Sequence, residues 1–160
     1  MSVMIENGVL LKFDDLQAES YVIPDCVTEI ADGAFKGCNN LVSVTIPPTV
    51  ECIGYDVFEG CTGLSEIHIP DGAEMLNVDD LLDTKWYRDN KDGFLILGTV
   101  LLAYGGHEQT IDVPPYVTKI CEGVFTGIPC SATVWLPSTL REIEPNAFGA
   151  YKQNIMFYSA

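Results

Sequence analysis

Six cysteines and two histidines are the side chains of this 160-residue sequence best suited to nucleophilic or metal chemistry. A cysteine nucleophile needs a base within hydrogen-bond reach and a third group that orients the base. His68 is expected on a strand face and His107 in a loop, and no cysteine is expected to have a neighbour that supplies this base. The sequence therefore predicts no catalytic residue and a protein that is not an enzyme.

Two of the cysteines, Cys38 and Cys61, occupy equivalent positions in a repeat described below. They could form a disulfide or a metal pair, or pack as small buried thiols. Six cysteines without an evident leader fit a reducing compartment better than a secreted scaffold. Cys26, expected in a turn after a strand, is the thiol we expect to be exposed. The cysteines outside this pair form no C-x-x-C motif: Cys26, Cys52, Cys121 and Cys130.

Acidic residues cluster between Asp79 and Gly93, where Asp79, Asp80 and Asp83 precede a second acidic group at 89–92. A calcium loop needs alternating oxygen ligands, a central glycine and a bidentate glutamate at its end. Here Lys91 falls among the ligand positions and the glutamate is missing, so a solvated acidic turn is predicted. Gly105-Gly106 lacks the lysine and helix of a phosphate-binding loop. The sequence predicts neither a metal nor a cofactor.

Charge excludes several classes of partner. Lysine and arginine total 8 against 23 aspartates and glutamates, which gives a net charge of −15. Residues 1–88 hold 16 acidic and 4 basic side chains (−12), whereas residues 89–160 hold 7 and 4 (−3). A surface of this sign repels phosphate backbones and anionic lipid, so nucleic acids and membrane surfaces are not expected partners. This excess of acidic residues is typical of a soluble surface that repels other copies of itself. The alternative interpretation is an acidic face that docks a partner.

The N-terminal segment 1–13 lacks the basic region, apolar core and small-residue cleavage site of a secretory signal. The longest apolar run, Phe94–Tyr104, is interrupted by Gly98-Thr99 and is too short to span a bilayer. The chain as it stands is therefore expected to be cytoplasmic and not inserted in a membrane. The alternative is a cell-surface protein whose leader and anchor lie outside these residues.

The fold is indicated by a repeat with a period of 23 residues. Within residues 38–61, Leu41, Val44 and Ile46 have the spacing of the inward side of a strand, and the intervening residues point outward. A proline follows at once, and because it has no N–H it ends the strand. Self-similarity at this period marks the stacked coils of a solenoid. The repeated dipeptides are Ile23-Pro24, Ile46-Pro47, Ile69-Pro70, Val113-Pro114 and Leu136-Pro137.

Two further columns are expected to fill the core of each coil. The isoleucine column is Ile30, Ile53, Ile120 and Ile143. The aromatic column on the opposite side is Phe35, Phe58, Phe125 and Phe148. A single coil cannot bury its own apolar edge, so the stack is expected to be the unit of stability.

The pattern C-x-x-L-x-x-I-x-I-P-x-x-V-x-x-I-g-x-x-A-F-x-x-C resembles the BspA-type leucine-rich repeats of bacterial surface proteins, over about 110 residues of the chain. The resemblance implies a right-handed leucine-rich-repeat solenoid of about five coils, β-rich, with an irregular or short-helical convex side. It implies a protein-binding role, often in bacterial adhesion, with no catalytic residues. It also implies that Cys38 and Cys61 are core residues and not a disulfide or metal pair.

The repeat is interrupted by β-hairpins, which we expect as insertions in the solenoid. Val3–Phe13, with a turn at Asn7-Gly8, and Phe94–Tyr104, with a turn at Gly98-Thr99, have the pattern of a hairpin. The chain is interpreted as a single domain, 1–160, made of module 1 (1–88) and module 2 (89–160). The first hairpin is expected to cap the coils; the second is expected to stiffen or kink the array.

The coil between the modules is degenerate. Leu76 takes the place of the isoleucine, Leu81 that of the phenylalanine, and Trp86-Tyr87 that of the leucine that leads a strand. The chain stops inside an apolar stretch at Ile155–Tyr158, which reads as a strand without a polar cap. Such an edge is expected to associate with another copy, or to mark a shortened chain.

One outward column is the candidate binding surface. The position before each repeated dipeptide is Val22, Thr45, His68, Asp112, Trp135 and Tyr158, and the column two residues earlier is Ser20, Ser43, Glu66, Thr110, Thr133 and Met156. Aromatic side chains on an open face are typical of interfaces, although cross-strand pairs also stabilise sheets. The predicted function is protein binding, with peptide or glycan as alternative ligands. Self-association through the C-terminal coil is the alternative function. The predicted binding residues are Thr45, His68, Asp112, Trp135 and Tyr158.

Overall fold

A computed structural model describes residues 3–69, 76, 78–149 and 154–158. The chain divides into two compact units, Met1–Asp89 and Asn90–Ala160. In the first unit the strands are β1 (Val3–Glu6), β2 (Val9–Phe13), β3 (Ser20–Val22), β4 (Glu29–Ile30), β5 (Ser43–Thr45), β6 (Cys52–Ile53) and β7 (Glu66–His68). A 3-10 turn at Val78–Leu81 and helix α1 (Lys85–Asn90) follow. In the second unit they are β8 (Phe94–Leu97), β9 (Val100–Tyr104), β10 (Thr110–Asp112), β11 (Lys119–Ile120), β12 (Thr133–Leu136), β13 (Glu142–Ile143) and β14 (Asn154–Phe157).

Each unit is a stack of coils with two sheets. In the first unit β3, β5 and β7 form a parallel sheet, and the second sheet has the order β1-β2-β4-β6. The second unit repeats this with a parallel sheet β10-β12-β14 and a sheet β8-β9-β11-β13. Strands that pair in parallel come from successive turns of the chain, which is the pairing of a solenoid and confirms the predicted fold.

Both predicted hairpins are present, and each lies at one edge of its sheet. Strands β1 and β2 pair antiparallel around Asn7-Gly8, whose φ angles of 50° and 83° are those of a tight two-residue hairpin turn. Strands β8 and β9 pair antiparallel around Gly98-Thr99. The second strand of each hairpin also pairs in parallel with the first short strand of the coils, β4 or β11. The hairpins therefore start the stack of each unit.

The core follows the predicted columns, except that Phe148 at the end of the aromatic column is only partly buried. Leu41, Val44 and Ile46 are buried, and the strand β5 ends before Ile46-Pro47 as the missing proline N–H requires. The ring of Phe35 lies 5.5 Å from that of Phe58, and Phe125 lies 5.2 Å from Phe148. The hairpins extend both columns, since Phe13 lies 5.2 Å from Phe35 and Tyr104 lies 5.8 Å from Phe125. A continuous row of rings thus joins the coils within each unit.

The isoleucine column is only partly buried, which corrects the expectation that all its members point into the core. Ile30 and Ile120 are fully buried, whereas Ile53 is half-buried and Ile143 is exposed. The difference follows from position, because β6 and β13 are the outer strands of their sheets and have a strand partner on one side only among the residues that the structure describes.

The degenerate coil also departs from the expected pattern. Leu76 and Leu81 are buried as predicted. Trp86 and Tyr87, however, lie in helix α1 and do not lead a strand. The Thr84 hydroxyl accepts a hydrogen bond from the Tyr87 N–H at 3.1 Å and so caps the helix start, while the Trp86 N–H donates to the Leu64 carbonyl at 2.8 Å. The helix therefore replaces a strand while keeping one bond to the coil before it.

Carboxylates join neighbouring coils in place of missing backbone partners. Asp32 accepts the N–H of Tyr55, Asp80 accepts that of Asp56, and Glu144 accepts that of Glu122, each at 2.8 Å. Asp83 accepts the Gly60 N–H at 2.9 Å. The expectation of a solvated acidic turn at residues 79–83 is therefore wrong in part, because Asp80 is buried and two of these carboxylates bind the preceding coil.

Candidate binding surface

The sheet β10-β12-β14 carries the aromatic end of the predicted stripe. Asp112 pairs with Trp135 in register, as the period requires. Trp135, however, pairs with Met156, and Leu136 pairs with Phe157. The expectation that Tyr158 is the register partner of Trp135 is therefore wrong. The chain enters β14 two residues earlier than the 23-residue period predicts. Tyr158 therefore lies two residues beyond the register partner of Trp135 and on the same side of the chain.

Tyr158 nevertheless reaches both predicted neighbours. Its ring stacks on that of Trp135 with centroids 5.1 Å apart and planes at 29°. Its hydroxyl donates a hydrogen bond to Asp112 Oδ1 at 2.6 Å. This bond to a carboxylate raises the pKa of Tyr158 above that of free tyrosine. The structure thus brings Asp112 of β10, Trp135 of β12 and Tyr158, the residue after β14, together.

A cleft opens beside this group. Its volume is about 370 Å³, and its lining includes Asp112 and Tyr158. The remaining lining comes from segments that follow β10 and β12, where proline ends each strand. Sequence reasoning did not find the cleft, although the double proline Pro114-Pro115 was a signal for a fixed bend after the strand. The other lining residues are Val113, Pro114, Pro115, Pro137, Ser138 and Thr139.

The other predicted stripe residues lie on a separate sheet, β3-β5-β7 of the first unit. Val22, Thr45 and His68 are in register there, as predicted. Val22 and His68 are exposed and Thr45 is half-buried. His68 Nε2 lies 3.8 Å from Glu66 Oε2. The six positions therefore form two groups of three on two sheets, and a binding role for either group stays a prediction.

Strand β14 exposes apolar side chains, and the exposed fraction rises to 63% at Phe157. It is the outer strand of its sheet, so one side of its backbone has no strand partner among residues 3–69, 76, 78–149 and 154–158. The exposed large side chains of the last coil are Ile143, Ile155, Met156, Phe157 and Tyr158.

The cysteines are free thiols. Cys38 and Cys61 are buried, and their thiols bond the carbonyls of Phe13 at 3.6 Å and Phe35 at 3.0 Å. The hydrogen bond that the Cys61 thiol donates to Cys38, and then burial, raise the pKa of Cys61, whereas the same bond lowers the pKa of Cys38. Both thiols pack in the core. Cys26 is exposed as predicted, and so are Cys52 and Cys130.

No group of three or more histidine, cysteine or acidic side chains could hold a metal ion in the part of the chain that the structure describes. Five carboxylates do border a small cleft of about 130 Å³ in the first unit, yet Asp80 and Asp83 there already accept backbone N–H groups. His107 lies exposed in a loop. Among the described residues no helix has the length and apolar character to cross a bilayer.

One family model matches most of this chain. The model of the family described as "BspA type Leucine rich repeat region" matches six copies in this chain, over residues 11–79 and 103–158. Among curated proteins no sequence matches.

Solved structures of leucine-rich-repeat proteins are similar in fold. A T. pallidum leucine-rich-repeat protein is 24% identical with a TM-score of 0.45, and the match covers 88% of this chain and 57% of that one. A leucine-rich cell surface protein from Faecalibacterium prausnitzii is 21% identical with a TM-score of 0.42, covering 95% and 35%. The chain thus spans 57% and 35% of the length of these two solved chains.

Proposed function

Because the chain belongs to the BspA-type leucine-rich repeat family, we propose that it is a non-catalytic module that binds a protein through the outer face of its repeat strands. The observation that carries the proposal is the Asp112–Trp135–Tyr158 group beside its cleft. Aromatic residues fixed on an open face lose little conformational freedom on binding and are frequent hot spots. Thr45 and His68 on the other sheet are proposed as secondary contacts. Adhesion at a bacterial surface is the setting that the family suggests.

The module organisation is part of the proposal. We take residues 1–160 as one leucine-rich-repeat domain, with a hairpin and coils in 1–88 and again in 89–160. The row of rings and the carboxylate bonds inside each unit make its coils interdependent. A partner can then be held by a preformed, rigid face, which lowers the entropic cost of binding.

Removing both aromatic side chains is expected to abolish tight binding. For a protein partner isolated with the wild-type chain, the variant Trp135→Ala/Tyr158→Ala should bind about 30-fold more weakly or worse, the loss expected when hot-spot residues are truncated. Surface plasmon resonance measures the change. The circular dichroism spectrum should stay that of the wild type, because Tyr158 is exposed and Trp135 is half-buried.

The matched control is Tyr55→Ala, which removes an exposed tyrosine of the first unit outside the strand face. It should leave affinity within about twofold of the wild type. Binding that survives in the double variant, or that falls equally in Tyr55→Ala, would exclude the strand face of the second unit as the site.

Self-association through β14 is the second candidate function, favoured by its exposed edge. Residues 133–160 hold Arg141 and Lys152 against Glu142 and Glu144, so this end is neutral on a chain of charge −15. Two copies repel each other least where charge is absent. The mass measured by light scattering should rise with concentration, and Phe157→Lys should restore a monomer. Leu16→Lys, at an exposed site of the first unit, is the control. A wild type that stays monomeric at every concentration would rule out this role.

A further inference from the structure

We propose that the cleft beside the Asp112–Tyr158 hydrogen bond receives the side chain of an arginine residue on the protein partner. The inference rests on the proposed function and deepens it by naming the group recognised. It follows from the polar atoms that the cleft offers, from its charge, and from the shape of its walls.

The cleft is poor in hydrogen-bond donors. Its three prolines have no backbone N–H. The Tyr158 hydroxyl already donates to Asp112 Oδ1 at 2.6 Å. The Thr139 hydroxyl lies 2.7 Å from the Pro115 carbonyl, and the Val113 N–H donates to the Trp135 carbonyl at 3.0 Å. Ser138 and the backbone N–H of Thr139 are lining donors without a bond among the described residues.

Acceptors remain at the same wall. A carboxylate has about four acceptor positions, and the Tyr158 hydroxyl uses one of those on Asp112. A guanidinium group has five N–H donors and no acceptor, so it matches a site of this kind. A sugar hydroxyl or an anion needs donors from the protein, which this cleft mostly lacks. The hydrogen-bond acceptors and donors of the cleft therefore favour a cationic ligand group with many donors over a glycan.

Charge points the same way. The lining includes a carboxylate and no lysine, arginine or histidine. The chain as a whole carries −15, so its long-range field attracts cations, and because residues 133–160 carry no net charge the local attraction comes from Asp112. What distinguishes this cleft from other acidic surface is a carboxylate held in place by a phenol and bordered by apolar walls. A hydrogen bond that pairs two charges is stronger there than in open water.

The walls suit arginine better than lysine. Pro114 and Pro115, half-buried and exposed, offer flat apolar surface for the three methylene groups of an arginine stem. The stacked rings of Trp135 and Tyr158 lie beside it, and a planar guanidinium stacks on aromatic faces. Lysine has a compact ammonium group that cannot stack in this way.

The test is an NMR titration of the full chain with three small probes. N-acetyl-arginine amide should shift the backbone amides of Asp112 and Ser138 and the Trp135 indole N–H. N-acetyl-citrulline amide has nearly the same shape without the charge and should bind at least about tenfold more weakly. N-acetyl-lysine amide should fall between them. Equal binding of arginine and citrulline probes, or of arginine and lysine probes, would overturn the assignment.

Variants locate the site. Asp112→Asn should remove the preference for arginine over citrulline, because the carboxylate is its source. Asp25→Asn removes one charge from an exposed site of the first unit and should keep the preference. A preference lost equally in both variants would mean general attraction to an acidic protein and would overturn the proposal.

The two proposals fail in different ways. If partner binding needs Trp135 and Tyr158 while the arginine and citrulline probes bind alike, only the arginine assignment is overturned. If partner binding ignores both aromatic residues, the proposed function is overturned, whatever the probes do.

Discussion

Replacing Phe58 by alanine should lower the free energy of unfolding by about 3–5 kcal/mol, the usual cost of removing a large buried aromatic side chain. Phe58 is fully buried and its ring stacks on Phe35 of the preceding coil. The backbone bonds on either side also cross between coils, from Phe35 N–H to Val57 O and from Gly37 N–H to Glu59 O. The loss should therefore spread beyond residues 38–61.

Hydrogen exchange tests this directly, since the amides of Phe35 and Gly37 should lose protection in Phe58→Ala. Tyr55→Ala, an exposed aromatic of the same coil, should change neither stability nor exchange by much. Acceleration confined to residues 38–61 would contradict the interdependence of coils.

Phe58→Ala also tests the proposed single domain. The chain has two tryptophans, one in each unit, so each unit can be followed separately. In Trp86→Phe and Trp135→Phe backgrounds the remaining tryptophan reports one module. When Phe58→Ala is added to each background, both tryptophans should report the same midpoint of denaturant unfolding, and it should be lower than without Phe58→Ala. An unchanged midpoint for Trp135 would mean two separately folding modules.

The second large effect is expected at Lys119. This lysine is buried, and its Nζ lies 3.0 Å from Glu144 and 3.4 Å from Glu142. Lys119→Met leaves two carboxylates close together without their cation. Loss of one partner of a buried pair costs about 3–5 kcal/mol. We expect about 2–3 kcal/mol, below that range, because both glutamates are partly exposed and screened by water. Denaturant unfolding at neutral pH measures it.

Glu144 also predicts how stability depends on pH. Its hydrogen bond from Lys119, and then that from the Glu122 N–H, lower the pKa of Glu144. A depressed pKa in the folded state means that the stabilisation is present above the unfolded pKa of about 4.3. The stabilisation is lost as the pH falls through the pKa that Glu144 has in the folded protein. Below about pH 4.3, wild-type stability should therefore fall more steeply than that of Glu144→Gln.

A matched control is Glu51→Gln, at an exposed glutamate of the first unit. Its acid unfolding curve should follow the wild type. Equal slopes for wild type and Glu144→Gln would show that the Lys119 contact does not stabilise the fold.

The core columns were predictable because the repeat fixes each position by its offset from a proline. Burial of Leu41 and Phe58 needs only apolar character and a period, and both are visible in one sequence. The hairpins were predictable for a similar reason, since Asn7-Gly8 is a strong local signal for a two-residue turn.

Two parts of the site could not be predicted this way. The register of β14 depends on how many residues the last turn uses, and a period counted from earlier coils placed Tyr158 two residues off. Its contacts with Trp135 and Asp112 depend on where a long side chain reaches, which spacing does not specify. The cleft is lined by proline, serine and threonine, residue types that suggest turns before they suggest binding.

Helix α1 and the carboxylate bonds were missed for a related reason. Residues 85–90 follow a coil in which the repeat pattern is degenerate. The hydrogen bond that the Thr84 hydroxyl accepts at the helix start stabilises a helix there. The role of Asp80 depends on a side chain meeting a backbone one coil away, which a charge count cannot show.

The carboxylate bonds between coils bear on how such a chain can change its length. Asp32 serves Tyr55, and Asp80 serves Asp56, so each donor and its acceptor lie in different repeats. Duplicating or deleting part of a repeat would separate an acid from the amide it serves. A repeat inserted as a whole keeps these bonds where its neighbour brings an acid at the matching place. Four of the 23 acidic side chains, Asp32, Asp80, Asp83 and Glu144, thus join neighbouring repeats and favour some orders of repeats over others.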